Sequence, residues 1–360
     1  MVRTITREKA MRIFVSLALT AIVLAFVSLG AQAQDPFPIT AEFLESQKGP
    51  DGVWPDDPAV PDLPPLPDTA DPGLDPNSFL TTHYTNTVYP PKIANPPPAL
   101  NENVTSEDPL EVVIYWSMRS PYSYLSMDRL LYLHSNYNVD MRIGFLMPVA
   151  VRTKAAPSNG AHQDSKPGGL FGVKYKVPDL MWDTVRQGKF LGVPFKYAVP
   201  DPIWQDLYPP HAEGYQYVHP PEQQPYIAWL TRLGCYADLK GKSVEFIHQV
   251  SRVIWDGSVA HWPAHVEERF NRIEGLDYDD AIKYIRRNTE EVDQCWLDNQ
   301  TGMAATGHGG VPLMAFQNEP FFGGDRFDQF VWRLRQSGLT KRSEPIAPIV
   351  PQPLRWPAGE

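Results

Sequence analysis

Leu110-Glu111-Val112-Val113-Ile114-Tyr115-Trp116-Ser117-Met118-Arg119-Ser120-Pro121-Tyr122-Ser123-Tyr124-Leu125 is the stretch on which the fold turns. Its first seven residues form a short branched and aromatic run, the pattern of a buried strand rather than a helix. Residues 117–120 break that run. Pro121 then stands where a first helical turn accepts proline, and Ser120 stands where an N-cap belongs. Tyr122, Leu125, Leu130, Leu131 and Leu133 recur at helical spacing up to about His134, and residues 140–147 read as a second strand. Strand, helix and strand in this order make a βαβ unit, whose strands are expected to be parallel.

Further along the chain, helical patterns cover 179–189, 224–237, 243–255, 265–273 and 278–296. An aromatic and proline-rich linker, residues 195–223, is too long for a passive connection and is expected either to wall a pocket or to pack as a surface loop. Strands return at 312–316 and 319–322 around a turn at Gln317-Asn318, followed by a helix over 326–338. The chemistry-bearing part is therefore α/β with a long helical insertion at about 178–299, spanning residues 110–343 in all.

The flanks differ in kind. Residues 1–33 carry Arg3, Arg7, Lys9 and Arg12, an apolar run from 13 to 29, and Ala31-Gln32-Ala33, the small-x-small pattern of a signal-peptide cleavage site. Cleavage would export the chain to a periplasm or outside the cell; retention of the run would anchor it in a membrane. Residues 34–109 hold 17 prolines and 13 acidic side chains against only Lys48 and Lys92, an extended acidic arm in which proline blocks helix and central strand alike. A second proline-rich piece closes the chain over 344–360. The whole chain carries a formal charge of −10, and with 28 basic against 41 acidic side chains after residue 33 no nucleic-acid partner is expected. No glycine-rich phosphate loop and no GxSxG elbow occurs, so nucleotide and esterase chemistry find no support.

Four strings then point to a family. Ser120-Pro121-Tyr122-Ser123-Tyr124-Leu125 after a strand, the segment Met181-Trp182-Asp183 with Arg186 followed by Gly192-Val193-Pro194-Phe195, Gly310-Val311-Pro312 before a strand, and Phe321-Phe322-Gly323-Gly324-Asp325-Arg326 opening the last helix occur in the family's order. Together they resemble the DsbA-like branch of the thioredoxin fold, most of all the 2-hydroxychromene-2-carboxylate isomerases and kappa-class glutathione transferases. The resemblance implies a thioredoxin-like fold with a helical insertion between the βαβ and ββα halves, and a cis peptide bond at Val311-Pro312 facing Ser120. It also implies glutathione as bound co-substrate: the Val311 backbone beside Pro312 pairing with its cysteinyl unit, Gly324 and Asp325 receiving its γ-glutamyl end, and, more weakly, Asn159 and Lys154 touching it. The relatives are commonly homodimers.

Thiol oxidoreductases of this fold carry Cys-x-x-Cys where this chain has Ser120-Pro121-Tyr122-Ser123. A hydroxyl forms no disulfide, so dithiol exchange is excluded there. A helix N-terminus still offers unpaired N–H groups and partial positive charge, and a serine hydroxyl can donate to an anion placed on it. A helix-end term of ~1–2 kcal/mol and a charge-assisted hydrogen bond of ~1.5–3 would lower a thiol pKa from about 8.5 by roughly two to three units. Ser120 is thus expected either to hold a borrowed thiolate or to serve as an ordinary N-cap.

Gly144-Phe145 stands where the isomerase-like sequences have a basic residue and proline, and export and the arm also set this chain apart. His261, His265 and Glu267 have a spacing that could hold a metal, but Pro263 breaks the helix needed to align them, and no metal is expected. Cys235 and Cys295, the two cysteines, are expected as buried thiols or as one bridge. Two readings stay open: a glutathione-dependent isomerase or transferase with a small hydrophobic or aromatic electrophile as second substrate, and a non-catalytic exported module that binds peptides or thiol compounds in the same groove.

Overall fold

In the computed structural model of the chain, residues 104–148, 151, 177–203, 205–206, 217–218 and 224–357 are described. The N-terminal segment, the arm up to residue 103, and Lys154 and Asn159 lie outside them. The βαβ unit consists of β1 (Leu110–Trp116), α1 (Pro121–Asn136) and β2 (Val139–Phe145). β1 and β2 run parallel, from Leu110 opposite Val139 to Trp116 opposite Phe145. Glu111, Asp140 and Arg142 are exposed near the strand starts, whereas the last three residues of each strand are buried, as sheets covered on both faces require.

The insertion follows with α2 (Val177–Leu191), a two-stranded ribbon of β3 (Gln205–Asp206) and β4 (Tyr217–Val218), α3 (Pro225–Leu239), α4 (Ser243–Phe246), α5 (Arg252–Trp255), α6 (Val266–Phe270), α7 (Tyr278–Arg287) and α8 (Thr289–Ala305). Three expectations need correction. The helix expected over 243–255 is interrupted by a π turn at Ile247–Ser251. That expected over 265–273 is a 3-10 turn, Trp262–His265, leading into the short α6. The single helix expected over 278–296 is two, because Asn288 leaves helical geometry at φ −125° and ψ 41°. Its side-chain amide donates to the Tyr284 carbonyl at 3.0 Å and Thr289 Oγ1 to the Ile285 carbonyl at 2.8 Å, local bonds that compete with a continuous helix.

The closing half is β5 (Leu313–Phe316), β6 (Glu319–Phe322) and, after a 3-10 turn at Gly324–Arg326, α9 (Phe327–Gln336). Gln317 and Asn318 both take positive φ, 51° and 64°, as a two-residue hairpin demands. The sheet order is β2-β1-β5-β6, with β5 antiparallel to both its neighbours, and the Val311–Pro312 bond is cis. This is the thioredoxin-like, DsbA-type fold, with the helices of the insertion between its two halves.

One face of the sheet joins Trp116, Phe145 and Ile114 to α1 and the insertion in the main core; the other buries Tyr115, Leu146 and Leu313 against Met303. The tail is not loose. Trp356 stacks on Tyr137 at 5.5 Å and meets Tyr132 and Phe327 edge-on, fixing the tail across α1. Among the described residues no helix is long and apolar enough to cross a membrane.

Candidate functional site

Three sequence-predicted segments meet at one edge of the sheet. β1 and β2 end there, the Leu146 N–H donating to the Trp116 carbonyl at 2.9 Å. In the antiparallel register Tyr115 faces Leu313, so Pro312 and Val311 enter the sheet beside the exit of β1, which leads directly into Ser120. β6 ends at the same edge, with Phe322 opposite Leu313, and runs into Gly323 and Gly324; the Gly323 N–H donates to the Pro312 carbonyl at 2.9 Å. Ser120, Val311, Pro312, Gly324 and Asp325 therefore share an edge, while Asn159 and Lys154 fall outside the described residues.

Ser120 caps the 16-residue α1. Its Oγ accepts from the Ser123 N–H at 3.2 Å, so the capping reading holds. Capping uses a lone pair and leaves the hydroxyl hydrogen available to donate, and the half-buried residue stays partly open to solvent. Ser117 and Ser123 flank it at the same spacing, both buried and both with hydroxyls that have no partner among the described residues. The sequence reading did not single out these two serines, although their three-residue spacing about Ser120 was a usable signal. Neighbouring Arg119 is engaged elsewhere, donating twice to Asp201 at 3.2 and 3.3 Å.

The Gly324 turn is held from α1. The Arg129 guanidinium donates to the Gly324 carbonyl at 2.6 Å and lies 4.6 Å over the Phe327 ring. A β-carbon on Gly324 would come within 2.5 Å of Ser126 Oγ, so the turn approaches α1 as only glycine allows. Asp325 projects into solvent and pairs with Arg326 at 2.7 Å. On the other side of Pro312, His308 stacks on Phe322 at 4.1 Å, and its Nδ1 accepts from the Gly310 N–H at 3.0 Å. That stacking was not read from the sequence. A β-carbon on Gly310 would strike the Phe322 ring at 2.4 Å.

The described part of the aromatic linker packs on the start of α1. Phe195 stacks on Trp255 at 6.0 Å and touches Tyr124 and Tyr197; the Tyr124 hydroxyl donates to the Pro194 carbonyl, and Tyr122 to Asp183 at 2.6 Å. Burial pushes the Tyr197 phenol up to about 12 and the Tyr124 phenol higher still, so both stay neutral at physiological pH. Residues 195–203 thus pack at the start of α1, with Ala198 and Ile203 buried, while most of the linker beyond them lies outside the described residues.

No family model and no curated protein matches the chain. Solved structures are similar to it, among them one that it matches over most of that structure's own length. That structure, a selenomethionine form of 2-hydroxychromene-2-carboxylate isomerase, shares 19% identity at a TM-score of 0.41, over 63% of this chain and 95% of the other.

His265 pairs with Glu268 at 3.7 Å on the surface, and among the described residues no group of three or more potential metal ligands gathers. Cys235 and Cys295 are free thiols that adjoin one another; burial pushes Cys235 well up. Gly144 is explained by crowding, since a β-carbon there would sit 3.1 Å from the Tyr115 ring and 3.3 Å from Asn299. The larger residue that the isomerase-like sequences carry would not fit without rearrangement.

Proposed function

We propose that this edge of the sheet binds glutathione, that Ser120 holds its sulfur as thiolate, and that the thiolate adds to an organic electrophile, in an isomerase or transferase reaction. The observation that carries the reading is Ser120 itself: a partly exposed hydroxyl with its hydrogen free, at the positive end of α1, on the same edge as cis Pro312. The nucleophile is the cofactor's sulfur, so the protein's task is position and charge. The donor set suits the tripeptide: the Val311 backbone, two residues before β5, is available for strand-like pairing, and the exposed Asp325 carboxylate suits an ammonium. Export through the N-terminal segment belongs to the same proposal.

The binding-module reading keeps one observation in its favour. Phe195 and Tyr197, at the start of the linker expected either to wall a pocket or to pack as a surface loop, pack on Tyr124 and Trp255. Rings packed against the protein's own side chains suit capture of a thiol compound without turnover.

Thiolate absorbance on mixing with glutathione near neutral pH tests the proposal. The wild type is expected to show it and Ser120→Ala to lose it. Alanine also removes a cap worth ~1 kcal/mol. Ser120→Asp keeps a capping oxygen while repelling the thiolate, so it is expected to fold as the wild type does and show no signal. Equal signals from all three proteins would end the reading.

A further inference from the structure

Away from the sheet edge, a cavity of about 340 Å³ opens between α1, the end of α2, the π turn with α5, and the proline-rich tail. That volume is in the range of small-molecule sites, ~300–1,000 Å³. Its walls are divided by character. Leu125, Val193 and Val350 supply an apolar side, while Asp128, Arg129, His248 and Arg252 supply a polar one, joined at the rim by Arg355.

The charges on that wall do not balance. Arg252 and Asp128 neutralise one another at 2.5 Å. His248 is held neutral, because burial and the nearby Arg252 push its pKa down. Arg129 is the weakly paired one: it is only 8% exposed, its close acceptor is the uncharged Gly324 carbonyl at 2.6 Å, its ion pair with the solvent-exposed Asp328 is long at 3.8 Å with Asp325 adding to the field, and its buried Nε has no partner among the described residues. A buried cation whose counter-ions stand in solvent is only partly compensated, and an anion in the adjoining space adds to that compensation.

We propose that this cavity is a binding site for a small organic anion, a carboxylate on an apolar chain or ring, its charge directed to Arg129 and its body lying against Leu125, Val193 and the tail. The site is separate from the thiol site proposed above, although Arg129 touches both, holding the Gly324 turn on one side and the cavity on the other. Its existence does not depend on that function.

Equilibrium dialysis of the full chain against labelled octanoate tests it, with octan-1-ol and S-methylglutathione as competitors. Octanoate is expected to bind, and octanol, of the same length and uncharged, to compete at least about tenfold more weakly (about 1.4 kcal/mol). Arg129→Gln is expected to weaken octanoate by at least about tenfold. Val193→Trp, which fills the cavity and leaves Arg129 in place, is expected to abolish binding, with circular dichroism showing each variant folded. Should Arg129→Gln fail to fold, the octanol comparison and Val193→Trp decide. No octanoate binding, equal competition by octanol, or unchanged binding in Val193→Trp would overturn the proposal. Displacement by S-methylglutathione would overturn the claim of a separate site.

Discussion

Gly234 shows how a single residue fixes the approach of two elements. It lies in the middle of α3, where alanine ordinarily gains up to ~1 kcal/mol over glycine. Here a β-carbon would meet three atoms of the Phe145 ring at 2.7 to 2.9 Å. The ring cannot step aside, since it is fully buried and packs edge-on against Phe246 at 5.3 Å. Overpacking costs of ~1–3 kcal/mol outweigh the propensity gain, so Gly234→Ala is expected to lower the stability read by urea denaturation, with the slope unchanged. The buried pair of Arg232 and Asp293, 2.6 Å apart and braced by the Trp296 indole, carries a second expectation. Arg232→Met alone strands the Asp293 carboxylate and is expected to cost ~3–5 kcal/mol, whereas Arg232→Met with Asp293→Leu is expected to recover most of it in the same denaturation series.

At the scale of elements, the legible parts were those whose signals are local. β1 is short and branched, Ser120-Pro121 marks a helix start, and Gln317-Asn318 supplies the two positive φ values of the hairpin, so both halves of the thioredoxin-like fold were readable from pattern. The edge that gathers Ser120, Pro312 and Gly324 followed from the resemblance and not from periodicity. What stayed hidden depends on contacts distant in sequence: Arg129 reaching Gly324, His308 covering Phe322, and the break at Asn288, where side-chain bonds override a continuous apolar pattern. The tail is the clearest case. Proline-rich composition says only that residues 344–360 form no helix or strand, whereas three aromatic contacts dock Trp356 on α1 and α9. With aromatic pairs worth ~0.5–1.5 kcal/mol each, Trp356→Ala is expected to cost roughly 1–3 kcal/mol and to release the tail to limited proteolysis well before global unfolding. Tail cleavage at the wild-type rate would show that the docking contributes nothing.

Across the whole molecule, stability should depend on acid through two histidines that the fold keeps neutral. Burial pushes His134 down, with Arg342 adding to the effect and Glu245 and Asp140 opposing it; burial and then Arg252 push His248 down. Both therefore have folded pKa values below the unfolded value of about 6.5. Between the two values the unfolded chain binds more protons, so stability rises with pH through this window and is lost as pH falls from about 6.5 toward the folded values, by at most ~1.4 kcal/mol per pH unit for each histidine. Asp238 acts with the opposite sign: burial raises its pKa despite Arg142, so the unfolded chain deprotonates first and the folded state weakens as pH rises from about 4. Denaturation midpoints measured from pH 7 downward are expected to fall first in the range just below 6.5, and His134→Gln with His248→Gln is expected to flatten that limb while leaving the carboxyl limb in place. A slope unchanged in the double variant would mean that neither ring is held neutral by the packing of α1 against the insertion and tail.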